Sequence, residues 1–149
     1  MAKMKNLSFD DGYESITVNS DKDRVIRFNP ADPEIISRLL NLQNNFQNYQ
    51  PEQDLELNPD GTPKNDMEKG AAFISEFSNA MRKAFDNTFN ADVYDTIFNG
   101  QSPLCIVGSK EKKYLFEAVI DGLISIMEPA IAEYSKVNQE KMQKYLGDL

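Results

Sequence analysis

The sequence predicts an α+β fold that is mainly α: an N-terminal β-hairpin followed by four or so amphipathic helices, the last kinked at Pro129. Three observations carry this reading. Two short β-like runs lie before residue 30. Phe73, Phe77, Met81, Phe85 and Phe89 then recur at every fourth position, and on an α-helix that step drifts only slightly round the surface. Finally Leu115, Phe116, Val119, Ile120, Leu123, Ile124 and Met127 repeat at helical spacing. The 149 residues are expected to form one domain: a hairpin over 1–30, a helix over 31–50, a mobile loop over 51–65, central helices over 66–100 and a kinked C-terminal helix over 109–147.

In residues 15–18, Ile16 and Val18 share one face while Ser15 and Thr17 share the other, the period of a strand. Val25, Ile26, Arg27 and Phe28 form a second such run. The polar connector Asn19-Ser20-Asp21-Lys22-Asp23 predicts a hairpin loop somewhat longer than the two-residue minimum, with Tyr13 and Phe9 extending the first arm. A lone two-stranded hairpin is marginal in water, so this one must pack on a helix or pair an edge with another copy.

The first helix is signposted by Asp32 as cap, Pro33 at the first position and Glu34 near the positive end. Ile35, Ile36, Leu39, Leu40, Leu42 and Phe46 supply its apolar face, and Pro51 ends it. The following segment holds Pro59, Pro63 and Asp60-Gly61 with few apolar residues, the composition of a loop. Within it Glu56-x-Asn58-x-Asp60-Gly61 resembles the opening of a calcium loop. The chelating position twelve is Met67 and position nine is Lys64, so turn formation explains the pattern and no metal is expected.

The central helix begins near Asn65 or Asp66 and ends between residues 87 and 90, its stripe widened by Ile74, Ala80 and Ala84. A short helix over 91–98 follows, with Val93, Tyr94, Ile97 and Phe98 on its apolar side and Gly100 placed to close it in the left-handed conformation. Residues 104–107 read either as a buried turn or as the first turn of the last helix. Ser109 is the expected cap of that helix, which should run from about residue 110 to 145. Pro129 should kink or break it, and its final dozen residues are polar enough to fray.

Composition limits the chemistry. A net charge of −8 argues against nucleic-acid binding, which needs clustered Lys and Arg. The longest mainly apolar run, over 118–127, is too short to span a bilayer, and the polar start is no signal peptide, so a cytoplasmic location is expected. Histidine is absent, which removes the commonest general base and transition-metal ligand. Cys105 is the single cysteine and sits among Leu104, Ile106 and Val107, the setting of a small buried hydrophobe. No catalytic, metal-binding or cofactor-binding residues are therefore assigned, and the protein is expected not to be an enzyme; acid–base work by carboxylates, Lys or Tyr is the minor competing reading.

The residues Ala84-Phe85-Asp86-x-x-Phe89-Asn90, then Val93 and Tyr94, then Ile97-Phe98-Asn99-Gly100, followed by an apolar-striped helix over 114–127, resemble the tail assembly chaperone-like proteins of phages and prophages of Gram-positive bacteria. That resemblance implies a non-enzymatic protein, acting in the bacterial host cell, that shields the tape-measure protein and helps tail-tube subunits polymerise round it. The alternative is a structural component, of a virion or of a bacterium, that forms a homo-oligomeric assembly. Both readings expect self-association. The partner-binding candidates are Ile131, Tyr134 and Val137 on the stripe beyond Pro129, and Ile16 and Val18 on the hairpin, whose edge is unpaired. The competing arrangement folds the stripe back onto residues 35–46 of the same chain.

Overall fold

A computed structural model describes residues 3–47, 59 and 67–147. The elements are β1 (Glu14–Val18), β2 (Asp21–Phe28), α1 (Glu34–Gln47), α2 (Met67–Phe89), α3 (Tyr94–Phe98), β3 (Ile106–Val107), β4 (Lys113–Tyr114) and α4 (Leu115–Leu146). This is the mainly helical α+β architecture expected, with its antiparallel N-terminal hairpin. The expected loop over 51–65 and the calcium-like pattern in it lie outside the described residues, Pro59 apart.

The hairpin turn is tighter than its sequence suggested. Asn19 and Ser20 alone join the strands, with φ of 52° and 58°. Two positive φ values give a turn whose twist matches that of the flanking strands. The surplus residues sit in β2 instead. Pairing passes from Val18↔Asp21 to Thr17↔Val25 and leaves Lys22, Asp23 and Arg24 as an extended bulge. A bulge re-aims side chains, and this one sends Arg24 to α3. Its Nε donates to the Thr96 carbonyl at 3.0 Å and its Nη2 to the Ile97 carbonyl at 2.6 Å. The last turn of α3 has no basic residue of its own, so the hairpin supplies the donor and the positive charge that its terminal carbonyls lack.

Arg38 of α1 plays the same part for α2. Its Nε donates to the Thr88 carbonyl at 2.9 Å, and ion pairs to Asp32 (3.1 Å) and Glu34 (3.6 Å) hold it there. Asp32 also caps α1 as expected, accepting the Glu34 N–H at 3.0 Å. Of the predicted apolar face of α1, Ile35, Leu39 and Leu42 are buried, whereas Ile36 and Leu40 remain 44% and 51% exposed.

α2 runs through the middle of the core. Met81 and Phe85 have no exposed surface, and Phe77, Ala84 and Phe89 are buried beside them. The stripe weakens toward the start of the helix: Phe73 is half-buried and Ile74 is exposed, a departure from the expected widening. Phe85 meets the edge of Phe98 at 5.3 Å, and Phe98 stacks on Tyr94 at 4.6 Å. One cluster joins these residues to Ile16, Ile26 and Phe28 of the hairpin, to α1, and to Ile120, Leu123 and Met127 of α4. The turn from α2 to α3 is made by Asn90 at φ 54°, and Asp86 Oδ1 accepts the N–H groups of Val93 (2.9 Å) and Tyr94 (3.0 Å) at the start of α3. Asn99 and Gly100 both adopt positive φ after α3, so the left-handed closure predicted for Gly100 begins one residue earlier.

The start of the last helix is a correction. Residues 106–107 form β3, which pairs with β4, so α4 begins at Leu115 and Ser109 is not its cap. Gly108, at φ 95°, allows the reversal: a Cβ there would collide with the Glu111 carbonyl oxygen. The first α4 donors are satisfied by this small ribbon. Leu115 N–H bonds the Cys105 carbonyl at 2.7 Å, Phe116 N–H bonds that of Pro103 at 3.0 Å, and Glu117 accepts from Tyr114 N–H at 3.2 Å. Cys105 is half-buried rather than buried. α4 does not break at Pro129, which leaves the Ser125 carbonyl without its helical donor but within a continuous helix. Helix extends to Leu146, yet no described residue beyond Met127 is buried.

Candidate functional site

α1 is apolar through too wide an arc for one neighbour. Ile35, Leu39 and Leu42 are buried, while Ile36 and Leu40 lie on the next face round. α4 approaches that second face without closing on it. Ile36, Leu39 and Leu40 from α1 and Ile124 and Ile131 from α4 line an open groove of about 600 Å³, with Gln43, Glu128 and Lys136 on its rim. Gln43 and Ile124 are shared with a second concavity of about 310 Å³, which adds Phe46, Phe116, Glu117, Ile120 and Asp121. The two helices run antiparallel here: Ile36 lies toward Ile131 and Phe46 toward Phe116, whose ring it meets at 5.7 Å.

Of the partner-binding candidates named from the sequence, Ile131 lies in this groove and Tyr134, 42% exposed, lines a depression beside it with Pro30 and Ile36. Val137 is 48% exposed but lines none of these concavities. Ile16 is buried and Val18 packs against the core, so their side chains are not surface groups; what the hairpin can offer another chain is its backbone edge. The folded-back arrangement is therefore half realised: Ile131 reaches α1, and the groove between them stays open. Sequence reasoning missed Ile36, Leu40 and Ile124 as groove residues. The usable signal was the excess width of the α1 stripe.

The residues that carry the family resemblance all have structural duties. Phe85, Phe89, Val93, Tyr94, Ile97 and Phe98 are core, Asp86 caps α3, and Asn90, Asn99 and Gly100 make left-handed turns. Among the described residues, the titratable groups shifted from their ordinary values lie beside them. Arg82 pairs with Asp95 at 2.9 Å and sits 4.5 Å above the Tyr94 ring. Hydrogen bonding to Arg82 holds the Asp95 carboxyl below its usual range, and burial pushes the Tyr94 phenol up. This cluster ties α2 to α3 and does not face the groove. Among the described residues no group of three or more carboxylate or cysteine side chains is placed to hold a metal ion, and no helix is long and apolar enough to cross a membrane. Comparison with family models, curated proteins and solved structures finds no match.

Proposed function

We propose that this protein is a non-enzymatic binding protein that takes up an amphipathic helix in the α1/α4 groove, and that it serves as a phage or prophage tail assembly chaperone for the tape-measure protein in the bacterial cytoplasm. The observation that carries the reading is the open apolar groove itself, with Ile36 and Leu40 left about half exposed beside the buried Ile35, Leu39 and Leu42. Helix-in-groove recognition uses such a surface: apolar side chains at one-turn intervals seat between two helices, and the rim sets orientation. The family resemblance in residues 84–100 supplies the tape-measure and tail-tube partners.

The test is co-purification of the chain with a long helical tape-measure protein, comparing the unaltered chain with Leu40→Glu. Leu40 is exposed, so the variant should keep its fold by circular dichroism and lose the partner. Retention of the partner by a folded Leu40→Glu variant rules the groove out.

The second reading, a structural component that stays in an assembled particle, is favoured by the exposed stripe beyond the groove: Val137, Met142, Tyr145 and Leu146 are 48%, 49%, 77% and 52% exposed. Such a stripe, and the open edges of the hairpin, suit a homo-oligomer. Mass spectrometry of purified particles separates the two, since a chaperone is absent there and a component is present at fixed stoichiometry.

A further inference from the structure

The charges on the first half of α4 lie along a single flank. Between Leu115 and Glu128 its charged residues are Glu117, Asp121 and Glu128, and no lysine or arginine interrupts them. At about 100° per residue these three fall within about 40° of one another, in a row along the groove rim. The rest of the exposed arc in this stretch, Gly122, Ser125 and Ile126, carries no charge, so its acidity is confined to the flank that lines the groove. The facing wall, Ile36, Leu40 and Gln43 of α1, is uncharged as well. The groove thus has an apolar floor, one neutral wall and one acidic wall. Lys113 reaches Asp121 at 3.4 Å across exposed surface, while Glu128 has no ionic partner among the described residues. Lys136 stands on the rim at the far end.

We propose that the occupant is a basic amphipathic helix lying parallel to α4, with its apolar face on Leu40 and Ile124 and a row of lysine or arginine residues against Glu117, Asp121 and Glu128. This rests on the reading of the groove as a helix-binding site and specifies the partner. The direction follows from the ends. A helix N-terminus carries partial positive charge and is favoured beside Glu117 and Asp121; a C-terminus carries partial negative charge and is favoured beside Lys136. Exposed ion pairs contribute little singly, so three together give about a tenfold preference, and salt screens it.

The experiment uses the full chain and two synthetic amphipathic helices of about 15 residues. Both carry a leucine face; one has lysines along a flank and its twin has glutamates there. Binding is read by fluorescence anisotropy at low and high salt, against the unaltered chain, the triple variant Glu117→Gln, Asp121→Asn, Glu128→Gln, and Leu40→Glu. Gln at 117 keeps the acceptor for Tyr114 N–H, so the start of α4 is preserved. The lysine helix should bind about tenfold tighter to the unaltered chain than to the triple variant, a gap that closes at high salt. Equal binding of both twins, with no loss in the triple variant, overturns the acidic-wall assignment and leaves the groove standing. Undiminished binding of the glutamate helix to Leu40→Glu, where the added carboxylate can only repel it, overturns the groove itself. In a Cys105→Ser background, Gln139→Cys, at the same end of the groove as Lys136, should cross-link to a cysteine at the C-terminus of the lysine helix and not to one at its N-terminus; the reverse pattern refutes the parallel direction.

Discussion

Replacing Arg24 by alanine should loosen the attachment of the hairpin to the helical core. The side chain crosses from the β2 bulge to α3 and makes two hydrogen bonds, 3.0 Å to the Thr96 carbonyl and 2.6 Å to that of Ile97. Hydrogen bonds with a charged partner contribute about 1.5–3 kcal/mol each when buried. Arg24 is only partly buried, and water can reach part of the vacated end of α3, so the low end applies to the pair as a whole: about 2 kcal/mol. For a domain of this size that is a fall in Tm of about 4–8 °C. Lysine carries its charge as a single point and cannot span two carbonyls in a fork, so Arg24→Lys should recover about half of the loss. Arg24→Met keeps the aliphatic stem and should behave like alanine if the donors matter rather than the packing. Urea unfolding followed by circular dichroism gives the free energies. An alanine variant within about 0.5 kcal/mol of the unaltered chain, or a lysine variant indistinguishable from it, would refute the argument that the bulge exists to deliver a bidentate cap.

Phe85→Asp and Phe77→Asp should abolish folding, because each places an unpaired carboxylate where the side chain is buried; near-normal thermal melts for both would overturn the core assignment. Asp86→Ala removes the acceptor for two N–H groups at the start of α3 and should lower stability by about 1–2 kcal/mol in urea, with Asp86→Asn losing less. Asp95 should titrate below its ordinary 3.8 because Arg82 bonds its charged form. A depressed carboxylate stabilises the fold above the unfolded value and loses that contribution as pH falls through the folded value, so the window lies below about pH 4. Carboxyl NMR should show this low midpoint, and Arg82→Gln should move it back up; a midpoint unmoved by that substitution removes Arg82 as the cause.

The elements that could be read from the sequence were those whose signal is periodic and long. The four-residue recurrence of Phe77, Met81, Phe85 and Phe89 located the core helix because its stripe is narrow enough to need a single buried face. What escaped was set by a few local geometries. The β3/β4 ribbon depends on the positive φ of Gly108 and on two carbonyls that happen to meet the first turn of α4, and two-residue strands have no alternation to detect. The polar composition of the hairpin connector predicts a loop slightly longer than two residues, because it does not distinguish a loop from a bulge in the adjoining strand. For the groove, the tail residue Ile131 was legible from its spacing. Ile36 and Leu40 were not, since a face two helices wide reads in sequence as a well-buried one.

Pro129 stands two residues beyond Met127, the last buried side chain of α4, so the missing backbone bond falls where tertiary support thins to the partial burial of Ala130 and Ile131. The 32-residue helix, about 48 Å long, is thus two thermodynamic segments joined end to end. Residues 115–127 are helical because the core holds them. Residues beyond the proline are helical on their intrinsic propensity, with little apolar burial behind them. A segment of that length sits close to the helix–coil balance on its own. Amide exchange along α4 should therefore fall away in a step after Met127 rather than in a slope, and on heating the distal part should melt gradually before the cooperative unfolding of the rest. Because its order is so weakly held, a contact along the distal half contributing about 1.4 kcal/mol would raise amide protection there about tenfold, so that this end of the chain registers, as a change in order, whatever touches it.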